Sequence, residues 1–137
     1  MQINSKSKHK KYLLDTSALI ALIKKEDGYE TIDNIIANSA ISSVNLSELV
    51  AVLARSGVSN ADIDEIIKDI VPEIIPFCED TSIKAGKLLN ITKTYGLSLG
   101  DRACIATGDF YKMEIHTTDK IWSKLQSDIT TKITVIR

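Results

Sequence analysis

The stretch YLLDTSALIALIKK, Tyr12 to Lys25, changes its pattern partway along. Tyr12, Leu13 and Leu14 form a short apolar run that stops at the polar cluster Asp15, Thr16, Ser17, and the residues after it keep helical spacing. This predicts a strand leading straight into a helix, with an acid at the junction. The same alternation recurs outward from it. YETIDNIIAN reads as a second short helix, and Ala40 to Ser42 as a brief buried strand. In SVNLSELVAVLARSG, Leu46, Leu49, Val50 and Leu53 fall at i, i+3, i+4 and i+7, and Gly57 supplies the stop.

Ser59 with Asp62 three residues later resembles a capping box that opens a helix to about Ile70. EIIPF, between the only two prolines, Pro72 and Pro76, and just past the second, reads as a strand. Thr81 to Tyr95 keeps helical spacing and Gly96 terminates it, after which Ser98 caps the next helix in GLSLGDRACIATG. MEIHTTD reads as a strand ending at Asp119, KIWSKLQ as a short helix and KITVIR as a last strand. Strands alternating with helices imply an α/β sandwich around a mainly parallel sheet of about five strands.

The 137 residues are 44% hydrophobic and 26% charged, which suits one soluble domain with an ample core. No apolar run approaches a bilayer span, and no apolar segment of a secretory signal precedes Tyr12, so no membrane association and a cytoplasmic location are expected. The formal net charge of −1 gives no bulk attraction for nucleic acid, so a polyanionic partner would have to be met locally. Lys6, Lys8, His9, Lys10 and Lys11 form a basic arm that reads either as a frayed terminus or as a phosphate contact. Cys78 and Cys104 lack paired spacing and read as core thiols, and His116 as a structural strand histidine.

Ligands of open α/β sheets gather outside the carboxyl ends of the strands. Asp15, Asp101 and Asp119 each end a strand or begin a helix, and Glu48 stands early in its helix on a partly apolar face. Each has a local use: Asp15 and Asp119 as helix caps, Asp101 as the third helical residue of a Ser98 capping box, Glu48 as a solvated group or a partner of Arg55 or Arg102. As a set they pose a different problem, because several carboxylates at one end of a sheet repel unless a cation or bound protons intervene. An oxygen-only cluster suits Mg²⁺ or Mn²⁺, and such ions serve phosphodiester hydrolysis.

The order of LLDTSALIALI, ISSVNLSELVAVLARSG, LSLGDRACIATG and IHTTDKIW closely resembles the PIN-domain ribonucleases of the VapC toxin family. The likeness covers Tyr12 to Arg137, which leaves residues 1–11 as an arm longer than many members carry and 12–137 as the domain. It implies a PIN-like α/β/α sandwich and an Mg²⁺- or Mn²⁺-dependent endoribonuclease, the toxin of a type II pair, commonly a homodimer restrained by a VapB-like antitoxin. The family's strand-end acid is matched by Asp15, its helical glutamate by Glu48, the acid of its GD pair by Asp101 and its T-D acid by Asp119. All four are expected to bind metal. Thr16, Ser17, Asn45 and Thr118 could orient these carboxylates or touch phosphate, or simply cap and turn the chain. Arg102 is expected to meet the scissile phosphate or pair with a neighbouring acid.

Two rivals are weighed against this reading. A haloacid-dehalogenase-type phosphatase also begins with an apolar strand and Asp, but it needs a second Asp two residues on, where this chain has Ser17. A non-catalytic PIN-like module that binds RNA or protein would not need the full set of acids.

Overall fold

A computed structural model describes residues 9–137, so Lys6 and Lys8 of the basic arm lie outside the described residues. Five short strands form the centre: β1 (Tyr12–Leu14), β2 (Ser39–Ser42), β3 (Glu73–Ile75), β4 (Glu114–Thr117) and β5 (Ile133–Val135). Every pairing is parallel and the order is β3-β2-β1-β4-β5. The chain therefore builds to one side of β1 and then returns to the other, which makes the carboxyl end of β1 the switch point.

Strands buried on both faces carry apolar residues in succession rather than in alternation. Leu13 and Ala40 face one core with Cys104, Ile105, Met113, Trp122 and Leu125. Their neighbours Leu14 and Ile41 face a second core with Leu19, Ile32, Leu49, Leu53 and Ile63. This second core is roofed by α1 (Thr16–Lys24), α2 (Tyr29–Ile35), α3 (Ser43–Arg55) and α4 (Asn60–Asp69). The first is roofed by α7 (Leu99–Tyr111) and a 3₁₀ segment, Lys120–Asp128. The result is the expected α/β/α sandwich, with the sheet wholly rather than mainly parallel.

Several local expectations shift. The helix expected from Thr81 to Tyr95 is instead α5 (Glu79–Lys87), α6 (Leu89–Thr92) and a 3₁₀ turn, Lys93–Tyr95. It begins early because Thr81 Oγ1 accepts from the Cys78 amide at 3.1 Å, so a threonine inside the helix caps its own start. Cys78 is consequently half-buried at a helix end rather than a core thiol, whereas Cys104 is fully buried. β4 stops at Thr117, two residues short of Asp119, and the short helix expected at KIWSKLQ is present as a 3₁₀ segment. The Ser59 hydroxyl accepts from the Asp62 amide at 3.1 Å, as its cap requires. Gly96 terminates the segment before it with φ of 68°, as a glycine there allows.

The described end of the basic arm packs onto the sheet. His9 stacks edge-on against Tyr111 at 4.4 Å with its Nδ1 3.4 Å from Glu73, and Lys10 Nζ donates to the Ala37 carbonyl at 3.1 Å.

Candidate metal centre

A cleft of about 570 Å³ opens at the carboxyl ends of β1 and β4, and Asp15, Glu48, Asp101 and Asp119 all line it. Four separate segments deliver them. Asp15 follows β1 and caps α1, its Oδ1 accepting from the Ala18 amide at 2.8 Å and the Ser17 hydroxyl at 2.7 Å. Its Oδ2 accepts from the Thr117 hydroxyl at 2.6 Å, and its own amide donates to the His116 carbonyl across the β1–β4 pair at 3.1 Å. Both carboxylate oxygens are thus fixed from below, while Asp15 as a whole is only 5% exposed.

Asp101 stands in the first turn of α7, in a reciprocal capping box. Its Oδ2 accepts from the Ser98 amide at 2.9 Å, and its amide donates to the Ser98 hydroxyl at 3.2 Å. Asp119 caps the 3₁₀ segment through the Ile121 amide at 3.0 Å. Glu48 faces α1 and α7: its Oε1 accepts from Asn45 Nδ2 at 2.8 Å and lies 2.9 Å from the Thr16 hydroxyl. Asn45 Nδ2 also reaches the Gly100 carbonyl at 3.1 Å, tying α3 to the start of α7.

Two residues outside the expected set matter here. Thr117, not Thr118, gives its hydroxyl to Asp15, and it also accepts from the Asp119 amide at 3.1 Å. Thr118 contributes its backbone amide to the Ser17 hydroxyl at 3.0 Å, and its side chain does not line the cleft. Gly100 is the second: a β-carbon there would overlap the Glu48 carboxylate. The GD pair therefore does two things, since its Asp faces the cleft and its Gly makes room for the acid opposite. Arg102, by contrast, turns away, its Nη1 donating to the Ala85 carbonyl at 3.2 Å, and it is absent from the cleft wall.

Burial pushes the Asp15 carboxyl up to about 6 despite the bonds from Thr117, Ser17 and Ala18, and the Asp101 charge adds to the rise. Asp101 is also raised, first by burial and then, against its Ser98 bonds, by the charges of Glu48 and Asp119. Asp15 thus senses Asp101, and Asp101 senses Glu48 and Asp119. Unfolded, Asp15 titrates near 3.8, and in the fold at about 6, so between those values the folded chain holds a proton that the unfolded chain has released. Acidification toward pH 5 therefore stabilises the metal-free fold, and raising the pH through 6 removes that contribution. In thermal melts with EDTA, the wild type is expected to gain stability relative to Asp15→Asn as pH falls from about 7.5 to about 5. A difference between the two that does not vary with pH would contradict it.

Among the described residues, no three His, Cys, Asp or Glu side chains converge closely enough to clasp an ion as they stand. The acids ring a cleft instead. That arrangement fits a hard cation such as Mg²⁺, which retains several waters and takes only one or two carboxylates directly. Asn45 Oδ1 adds a neutral acceptor: it is buried in the cleft wall with no hydrogen-bond partner among the described residues. The donor set is all oxygen, as Mg²⁺ and Mn²⁺ prefer.

A family model described as the PIN domain matches residues 12–127. Comparison with curated proteins gave no match. Among solved structures, VapBC2 from Rickettsia felis bound to a promoter DNA fragment is similar with a TM-score of 0.69 at 19% identity, over 92% of this chain and 98% of that one. DNA-bound VapBC from Salmonella typhimurium gives a TM-score of 0.69 at 17% identity, over 93% and 99%. FitAcB from Neisseria gonorrhoeae gives 0.65 at 22%, over 89% and 95%. At these identities the likeness is one of fold.

Proposed function

The chain belongs to the PIN-domain family, and from that premise we propose that it is a cytoplasmic, Mg²⁺- or Mn²⁺-dependent endoribonuclease, the toxin of a VapBC-type pair. The observation that carries this reading is the delivery of four carboxylates from four segments to one cleft at the sheet's switch point. Nothing local explains the set, although each acid caps a helix or meets a neighbour. A cation bound there supplies Lewis-acid stabilisation of phosphodiester oxygens and makes an attacking water more acidic.

In this proposal Asp15, Glu48, Asp101 and Asp119 hold the cation, directly or through water, and Thr16, Ser17, Asn45 and Thr117 hold the carboxylates. Three donors on Asp15 remove its rotational freedom, so its position is set before substrate arrives. The Thr16 hydroxyl and Asn45 amide do the same for Glu48. At neutral pH the burial that raises Asp15 and Asp101, with the charges of their neighbours adding to it, gives the cleft its affinity for a cation. A VapB-like antitoxin as partner, and a homodimer, follow from the same reading, and the fold neighbours that are toxin–antitoxin complexes support the first.

Incubating the purified protein with a panel of single-stranded RNAs is expected to give endonucleolytic cleavage with Mg²⁺ or Mn²⁺, abolished by EDTA and restored by excess metal. RNA bound but never cut would instead mark a non-catalytic binding module. No helix among the described residues is long and apolar enough to cross a membrane.

A further inference from the structure

Glu48, Ala51, Val52 and Arg55 all line the cleft. Their spacing, i, i+3, i+4 and i+7, makes them a single stripe along α3. At the helical rise the stripe runs roughly 10 Å along the axis from Glu48 to Arg55. Between them Ala51 and Val52, joined by Ile20 from α1, give the cleft an apolar strip. At its far end Arg55 is exposed and makes no ion pair or hydrogen bond among the described residues. The other arginine at the cleft, Arg137, is engaged by Glu26 Oε1 at 3.2 Å. Of the two arginines in a wall that also carries Asp15, Glu48, Asp101 and Asp119, Arg55 is thus the uncommitted one.

We propose that this stripe is a subsite for the nucleotide adjoining the scissile bond of a single-stranded RNA. Arg55 holds that nucleotide's phosphate, and Ile20, Ala51 and Val52 take the face of its sugar or base. This rests on the nuclease reading above. Carboxylates repel every phosphate except the one a cation screens, so a strand crossing the cleft needs its next charge met further along. A guanidinium, with its fork of donors, suits phosphate oxygens there. A cleft of about 570 Å³ is of a size for one or two nucleotides rather than a duplex.

The test is fluorescence anisotropy with a labelled single-stranded RNA of mixed sequence and Mg²⁺, in an Asp101→Asn background so that RNA stays intact. Arg55→Ala is expected to weaken binding about tenfold at low salt, the worth of one charge-assisted contact. It should also flatten the dependence of log Kd on log salt by about 0.7, the value of one phosphate contact on a single strand. Arg55→Lys should recover most of both losses, and with Asp101 restored Arg55→Ala should raise KM more than it lowers kcat.

Affinity and salt slope unchanged by Arg55→Ala would overturn the subsite. So would Arg55→Ala that spares RNA binding but weakens capture of a co-expressed antitoxin, which would assign the stripe to a protein partner. Arg55-dependent binding by a parent protein that never cuts RNA would keep the RNA site and overturn the nuclease reading instead.

Discussion

Asp101→Asn is expected to lower Mg²⁺-dependent RNA cleavage by at least about a hundredfold, a typical loss when one preorganised electrostatic group is removed from a site. The substitution isolates the charge from the fold. Asn keeps a carbonyl oxygen able to accept from the Ser98 amide, the bond that Asp101 makes at 2.9 Å, so the start of α7 should persist. It also removes a half-buried charge that adds to the rise of Asp15 and that stands against those of Glu48 and Asp119. Metal-free stability should therefore be equal or higher while activity collapses. Single-turnover cleavage rates beside thermal midpoints in EDTA separate the two, and a variant cleaving at the wild-type rate would remove Asp101 from the cation site.

Gly100→Ala is expected to abolish most activity without touching any acid. Its added methyl would overlap the Glu48 carboxylate, which must swing away or force α7 back from α3. Either movement breaks the Asn45 bridge between Glu48 Oε1 and the Gly100 carbonyl. The overlapped atoms are the far end of one flexible side chain, so the cost falls on the placement of Glu48 more than on the fold. The loss of a correctly placed ligand should lower the cleavage rate about a hundredfold, as misplaced groups around metal sites do. The double variant Gly100→Ala, Glu48→Ala tests the cause. Relief of the overlap should return stability toward that of Glu48→Ala, with no return of activity. If Gly100→Ala alone retains full activity, the close approach of α7 to Glu48 has no functional role.

The layered architecture could be read from the chain because it depends on local patterns. Tyr12 to Leu14 ending at Asp15, the Ser98–Asp101 cap and Gly96 are each decided within a few residues, and each stands where the pattern puts it. What could not be read depends on register and on distant neighbours. Thr117 and Thr118 are indistinguishable by type, and only the β1–β4 register, with Leu14 opposite His116, sets Thr117 beside Asp15. Arg102 follows Asp101 directly, and successive helical residues diverge by about 100°. One faces the cleft and the other faces Ala85.

The break in the helix expected over Thr81 to Tyr95 has the same character. Leu88 both ends α5 and opens α6, and it packs against a core drawn largely from the sheet, α7 and the 3₁₀ segment. No residue in that stretch announces the break. Gly100 was visible as half of a GD pair, but its use required knowing that Glu48, 52 positions earlier, lies against it. The acids themselves were legible because charges that end a strand, open a helix or stand on a partly apolar helix face need a reason as a set. Their common cleft needed the sheet order that makes β1 the switch point.

The central claim is that these four carboxylates jointly hold a divalent cation. A crystal of the wild-type protein grown with Mn²⁺, measured at the manganese absorption edge, tests it without reference to any substrate. The account predicts an anomalous peak in the cleft among Asp15, Glu48, Asp101 and Asp119, lost in Asp101→Asn. A cleft free of anomalous density at saturating Mn²⁺, or a peak that persists unchanged in the variant, would contradict it.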